Sequence, residues 1–136
     1  MRLRLETDYG IRCVLFLAQH QEYVQAGRIA AATNVPENVV PRVLSRLKKA
    51  GIVSARSGVM GGHKLCRKVD EISLFDIVDC MEDCLALSRS EDISSAETEV
   101  EKALHAVEDC FNQIQQQMEQ FMRSIKINQL VEASAC

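Results

Sequence analysis

Eight apolar residues, Val100, Leu104, Val107, Phe111, Ile114, Met118, Phe121 and Ile125, follow one another at gaps of four, three, four, three, four, three and four. An α-helix returns such a series to one narrow edge, and the alternation is the a/d seam of a heptad repeat. The spacing predicts a helix from Glu99 that runs for about 38 Å at 1.5 Å per residue. Gln115, Gln116 and Gln117 expose a polar flank. A helix this long with one narrow apolar edge needs a partner. Packing on its own domain is one solution; the narrow seam and the glutamines favour a second copy of the chain, hence a homodimer.

The rest of the chain carries shorter signals. Residues 7–20 read as a helix capped by Thr7 or Asp8, with Ile11, Val14, Leu15 and Ala18 as its apolar stripe. A short helix over 28–34 and a turn at 35–37 follow. A third helix spans 38–50: with Asn38 as N-cap, Pro41 falls in the first turn, whose N–H groups lack intrahelical partners. Val40, Val43, Leu44 and Leu47 face inward, and Gly51 ends the helix. Residues 52–56 and 63–67 read as strands joined by the glycine-rich turn 57–62, a hairpin with a long tip. Ser73, with Asp76 three residues on, starts a helix over 73–86. Residues 88–98 are polar and poor in structural signals. Helices followed by a hairpin give the order of a winged helix-turn-helix. The expected fold is therefore mainly α: a winged helix-turn-helix DNA-binding region over 1–86, a linker over 87–98, and a dimerisation helix with a C-terminal tail over 99–136.

Net charge of −3 conceals a strong division. Residues 1–69 hold twelve Lys/Arg against four Asp/Glu, a net of +8; residues 70–136 hold four against fifteen, a net of −11. The basic half can attract phosphates and release counterions; the acidic half is expected to face away from a polyanion. The longest apolar run near the N-terminus, 13–18, is too short for a membrane span or a convincing signal sequence, so a cytoplasmic place without membrane contact is expected.

The N-terminal part of a recognition helix reads bases in the major groove. That brings Asn38, Arg42, Ser45 and Arg46 into play, with Lys49 as a phosphate contact. Arg42 is the strongest candidate, since arginine pairs bidentately with guanine; Asn38 has a competing role as cap. The hairpin tip is the second candidate. Gly61 and Gly62 permit close backbone approach, and Arg56, Ser57, His63 and Lys64 flank it. A nucleotide-binding loop would need a helix after the glycines, and a strand pattern follows instead. No grouped nucleophile, base and orienting residue is present, so no enzyme is expected. Cys80 and Cys84, four apart, are expected on one helix face, as half of a metal site or as two core residues.

Several segments match a known family: Thr7-Asp8-Tyr9-Gly10-Ile11-Arg12, the run from Leu44 to Val53, Gly61-Gly62-His63-Lys64-Leu65, and the run from Ile72 to Val78. On these the chain resembles the bacterial winged-helix repressors that include the iron–sulfur regulator IscR and the nitric oxide sensor NsrR. The resemblance implies a homodimer on a palindromic promoter site in double-stranded DNA, with Asn38 and Arg42 at DNA-reading positions. It places Ser57 where the family's wing arginine falls, with Arg56 one place earlier. Cluster-binding members carry three cysteines before the long helix, whereas 88–98 holds none, and serine or alanine does not replace thiolate for iron. Asp8 matches an oxygen ligand of the nitric oxide group, though a helix-end acid also accounts for it. Cys80, Cys84 and Cys110 leave room for an atypical iron–sulfur cluster or a thiol switch. The function expected is a dimeric, sequence-specific DNA-binding repressor, with redox-, thiol- or cluster-linked control open. The alternative is a winged-helix adaptor that docks a partner protein and binds DNA weakly.

Overall fold

The computed structural model describes residues 2–87 and 98–133. Its elements are α1 (Leu5–Leu17), α2 (Ala26–Thr33), α3 (Val40–Lys49), β1 (Val53–Arg56), β2 (Gly62–Leu65), α4 (Leu74–Met81), α5 (Glu99–Ser124) and α6 (Ile127–Ala133). The fold is mainly α, a winged helix-turn-helix followed by a long C-terminal helix.

The apolar periodicity of the first three helices builds one core. Val14 and Leu17 of α1, Ile29 of α2, and Val43, Leu44 and Leu47 of α3 are all buried, and Ile77 and Met81 of α4 close over them. Pro41 lies in the first turn of α3, where it removes no intrahelical hydrogen bond. β1 and β2 pair antiparallel, Val53 opposite Leu65 and Arg56 opposite Gly62. Val24 adds a bridge on the far side of β2: its N–H donates to the His63 carbonyl at 2.9 Å, and its carbonyl accepts from the His63 N–H at 2.7 Å.

Three local expectations are corrected. Neither Thr7 nor Asp8 caps α1, which starts at Leu5 with Arg4 as N-cap. A distant residue serves that end: one oxygen of the Glu82 carboxylate accepts from both the Arg4 N–H and the Thr7 hydroxyl, each at 2.7 Å. Asn38 is not the cap of α3; Val39 is, and the Pro36 carbonyl accepts from Val39 and Val40 N–H instead. The helix expected over 73–86 stops at Met81. Its start is as read, with Ser73 and Asp76 in a reciprocal capping box. At the other end Glu82 turns extended, φ −90° and ψ 141°, which carries its carboxylate to α1. Cys84 therefore lies beyond α4, exposed, and does not share a helix face with Cys80.

The expected linker falls largely on residues 88–97, and the tail on 134–136, both outside the described residues. Thr98 and Glu101 form a second capping box at the start of α5. The C-terminal part of α5 leans on the domain: Arg123 stacks on the Phe75 ring at 4.1 Å, and Gln115 accepts from the Leu87 N–H. After α5 the chain returns to the core. Leu74 N–H donates to the Ile125 carbonyl, Ile127 N–H to the Ile72 carbonyl, and Ile127 is fully buried. The end of the 99–136 segment thus completes the N-terminal core.

Candidate nucleic-acid interface

The buried face of α3 leaves the opposite side to water. Arg42, Ser45 and Lys49 are exposed there, and Asn38 is exposed in the turn just before. Arg42 reaches Glu6 at the start of α1, so it carries an internal counter-charge in the free protein. Arg46 has a different commitment. Its guanidinium donates to the Met81 carbonyl and to the Asp83 carboxylate, both at 2.7 Å. Asp83 also pairs with Arg4 at 2.7 Å. The Arg46 hydrogen bond, with help from Arg4, holds the Asp83 carboxyl below the usual carboxylate range. Arg46 thus ties α3 to the chain leaving α4, with its guanidinium already engaged by two acceptors.

The wing glycines face inward. A Cβ on Gly61 would lie 2.0 Å from the Arg56 carbonyl oxygen, and one on Gly62, at φ +138°, 2.3 Å from the Val24 carbonyl oxygen. Close approach to the chain's own backbone accounts for both. His63 is half-buried, its main chain joined to Val24, and its Nδ1 is buried with no hydrogen-bond partner among the described residues. Burial, then the nearby Lys48 charge, hold the His63 imidazole below the ordinary histidine range. The unfolded chain takes up a proton at about pH 6.5, whereas the folded chain resists it. The unfolded state then binds more protons, and stability falls as the pH drops below the ordinary histidine value. Urea midpoints should decline over that window, and His63→Gln should flatten the decline; equal slopes for both proteins would remove His63 as the cause.

Arg56 and Ser57 are exposed, and Lys64 is half-buried. Arg56 and Lys64 converge on the ring of Tyr23, at 5.9 and 5.0 Å from its centre. With Arg28, Val59 and Met60 they line a groove of about 650 Å³ between the wing and the loop before α2. Tyr23, Glu6 and Asp83 belong to none of the motifs that the sequence displays. Each acts through a residue distant in the chain, and no local pattern marks it.

Six seam residues of α5, Val100, Leu104, Val107, Phe111, Ile114 and Phe121, are exposed, with Val100 and Phe121 at 69%. Met118 and Ile125 are half-buried. The three thiols of interest do not converge. Cys80 is half-buried beside α3, its Sγ donating to the Ile77 carbonyl, and burial pushes its thiol up to about 11. Cys84, in the chain after α4, and Cys110, on α5, are both exposed. Asp8 pairs with Arg12 at 2.9 Å. Among the described residues no three His, Cys, Asp or Glu side chains are grouped to hold a metal ion. Within one chain, Cys80, Cys84, Cys110 and Asp8 are thus not brought together as an iron or cluster ligand set.

A family model described as Rrf2, iron-dependent transcriptional regulator, matches residues 3–133. A Synechocystis sp. protein named for an HTH-type transcriptional regulator is 36% identical over 87 residues, 62% of this chain and 59% of that relative. Protein aau3 of Rhizobium meliloti is 36% identical over 89 residues, 65% of this chain and 58% of the relative. The chain thus spans under two thirds of the length of these curated relatives. Among solved structures, T. potens IscR superposes with a TM-score of 0.73 at 21% identity, over 98% of this chain and 88% of that one. CymR, the global cysteine regulator of B. subtilis, does so with a TM-score of 0.75 at 20% identity, over 98% of each chain. These two likenesses concern the fold. No helix among the described residues is long and apolar enough to cross a membrane.

Proposed function

This chain belongs to the Rrf2 family, and from that premise we propose that it is a dimeric, sequence-specific repressor that reads a palindromic promoter site in double-stranded DNA. The observation that carries the reading is the two-sided α3: four buried aliphatic residues on one face, and Arg42, Ser45 and Lys49 exposed on the other, with Asn38 just ahead. In this reading the N-terminal part of α3 enters the major groove, and Arg42 exchanges Glu6 for a base edge. Asn38 and Ser45 contact neighbouring bases, while Lys49 neutralises phosphate. Arg46 holds the helix in place. Arg56 and Lys64 bring the wing against the adjoining backbone, with Ser57 between them and the tip. The exposed seam of α5 joins two chains, so that two reading heads meet half-sites about one helical turn apart. Occupation of a promoter then excludes transcription.

The test is selection from a pool of randomised duplexes. Wild-type protein should enrich a palindrome, and binding should fall by orders of magnitude as salt rises several-fold. Arg42→Ala should lose about 1–3 kcal/mol of discrimination at one base pair of each half-site, while Lys49→Ala weakens all sequences alike. A pool that enriches nothing overturns the reading in favour of a protein-docking adaptor. An unchanged preference in Arg42→Ala means that α3 docks differently.

A further inference from the structure

The turn between β1 and β2 presents an apolar knob on a cationic stem. Val59 and Met60 are 89% and 83% exposed, the two most exposed large apolar side chains among the described residues. The turn that carries them is held at several points. Gly61 N–H donates to the Gly58 carbonyl at 3.0 Å, and Gln25 Nε2 donates to the Val59 carbonyl at 2.9 Å. Gly61 also presses against the Arg56 carbonyl. Just below the tip, Arg56 on β1 and Lys64 on β2 stand at the Tyr23 ring, with Arg28 lining the same groove. The pair contributes nothing to the core, and a rigid turn spends it on water.

A cationic ribbon with an apolar end complements a surface with anionic rims and apolar faces that can open between them. The minor groove of a duplex is such a surface: phosphates line both edges, the polar edges of the bases form its floor, and the apolar faces of the bases become accessible where a step unstacks. Valine and methionine side chains make no hydrogen bonds to the groove floor. They gain by leaving water between base pairs. We propose that Val59 and Met60 form a wedge that enters the minor groove beside the α3 contact, partly unstacks one base step and kinks the duplex. The inference rests on the DNA reading above and adds to it. The cations meet the rims, the tip meets the step, and easily unstacked pyrimidine–purine steps are selected there without a hydrogen bond to any base.

The experiment uses the full chain and a duplex enriched by the wild-type protein, labelled with dyes at both ends and with 2-aminopurine at steps facing the wing. Wild-type protein should bend the duplex by about 20–90° and brighten the 2-aminopurine at one step. The double variant Val59→Ser, Met60→Ser should leave the duplex straight and the probe dark, and bind roughly tenfold or more weakly. Its salt slope should be unchanged, because no charge is lost, whereas Arg56→Ala should lower the slope by about one. Met60→Leu should keep the bend. Thermal unfolding of the double variant should match wild type, since the tip lies outside the core. A straight duplex in the wild-type complex, or equal bending and affinity in the double variant, overturns the wedge and leaves the DNA reading standing. Failure of wild-type protein to enrich any duplex removes both.

Discussion

Phe111→Glu should turn the proposed dimer into a monomer and lower affinity for an operator with two half-sites by about 10²–10⁴-fold, the gain that a second linked contact supplies. The physical case rests on α5. Six residues at heptad spacing, Phe111 among them, lie open on one edge, and no part of the described chain covers them. Burial in a matching seam stabilises by roughly 25 cal/mol for each Å² of apolar surface removed from water. A carboxylate placed there must shed its hydration with no partner, which costs several kcal/mol. Ile114→Glu should act in the same way. Gln116→Glu, on the exposed polar flank, is the control and should leave assembly intact. Sedimentation velocity reads the first effect and titration of the operator the second. Because Phe111 lies outside the buried core cluster, thermal unfolding of the variant monomer should show a folded domain. An unchanged dimer in Phe111→Glu would move the interface to another face.

Gly62→Ala costs at least about 3 kcal/mol and loosens the wing, combining backbone strain with steric overlap. At φ +138° an L side chain is strained whatever the space, and the new Cβ would overlap the Val24 carbonyl at 2.3 Å. The overlap falls where Val24 bridges to His63, so relief requires that bridge to open. Gly51→Ala separates the two causes. Gly51 also has positive φ, +76°, but nothing lies within 4 Å of the added Cβ. It should lose about 1–2 kcal/mol from strain alone. Urea unfolding of the two variants, compared with wild type, gives the difference. Equal losses would mean that the overlap at Gly62 is relieved without cost.

Much of the architecture was legible in the chain because its causes are local. Pro41 tolerates only the first turn of a helix, and α3 begins accordingly at Val40. Ser73 and Asp76 stand three apart and close a capping box. The four-three alternation from Val100 requires a helix, and α5 covers it through Phe121. Charge segregation and the winged order led to the DNA reading from composition and spacing alone.

The tertiary structure decided how residues of one type divide their labour. Arg42, Arg46 and Lys49 are alike in sequence, yet only Arg46 is drawn to Met81 and Asp83. Cys80 and Cys84 have helical spacing, but Glu82 leaves the helix to serve the start of α1, and the pair is parted. Gly61 and Gly62 have the composition of a tip that approaches DNA, and their hydrogens face Arg56 and Val24 instead. Tyr23 became a platform only when the wing folded beside it. The physical reason is common to all four. Periodicity, capping and proline chemistry act within a few residues and can be read along the chain. Hydrogen bonds across the fold, desolvation and steric overlap depend on neighbours tens of residues away, which the fold alone brings within reach.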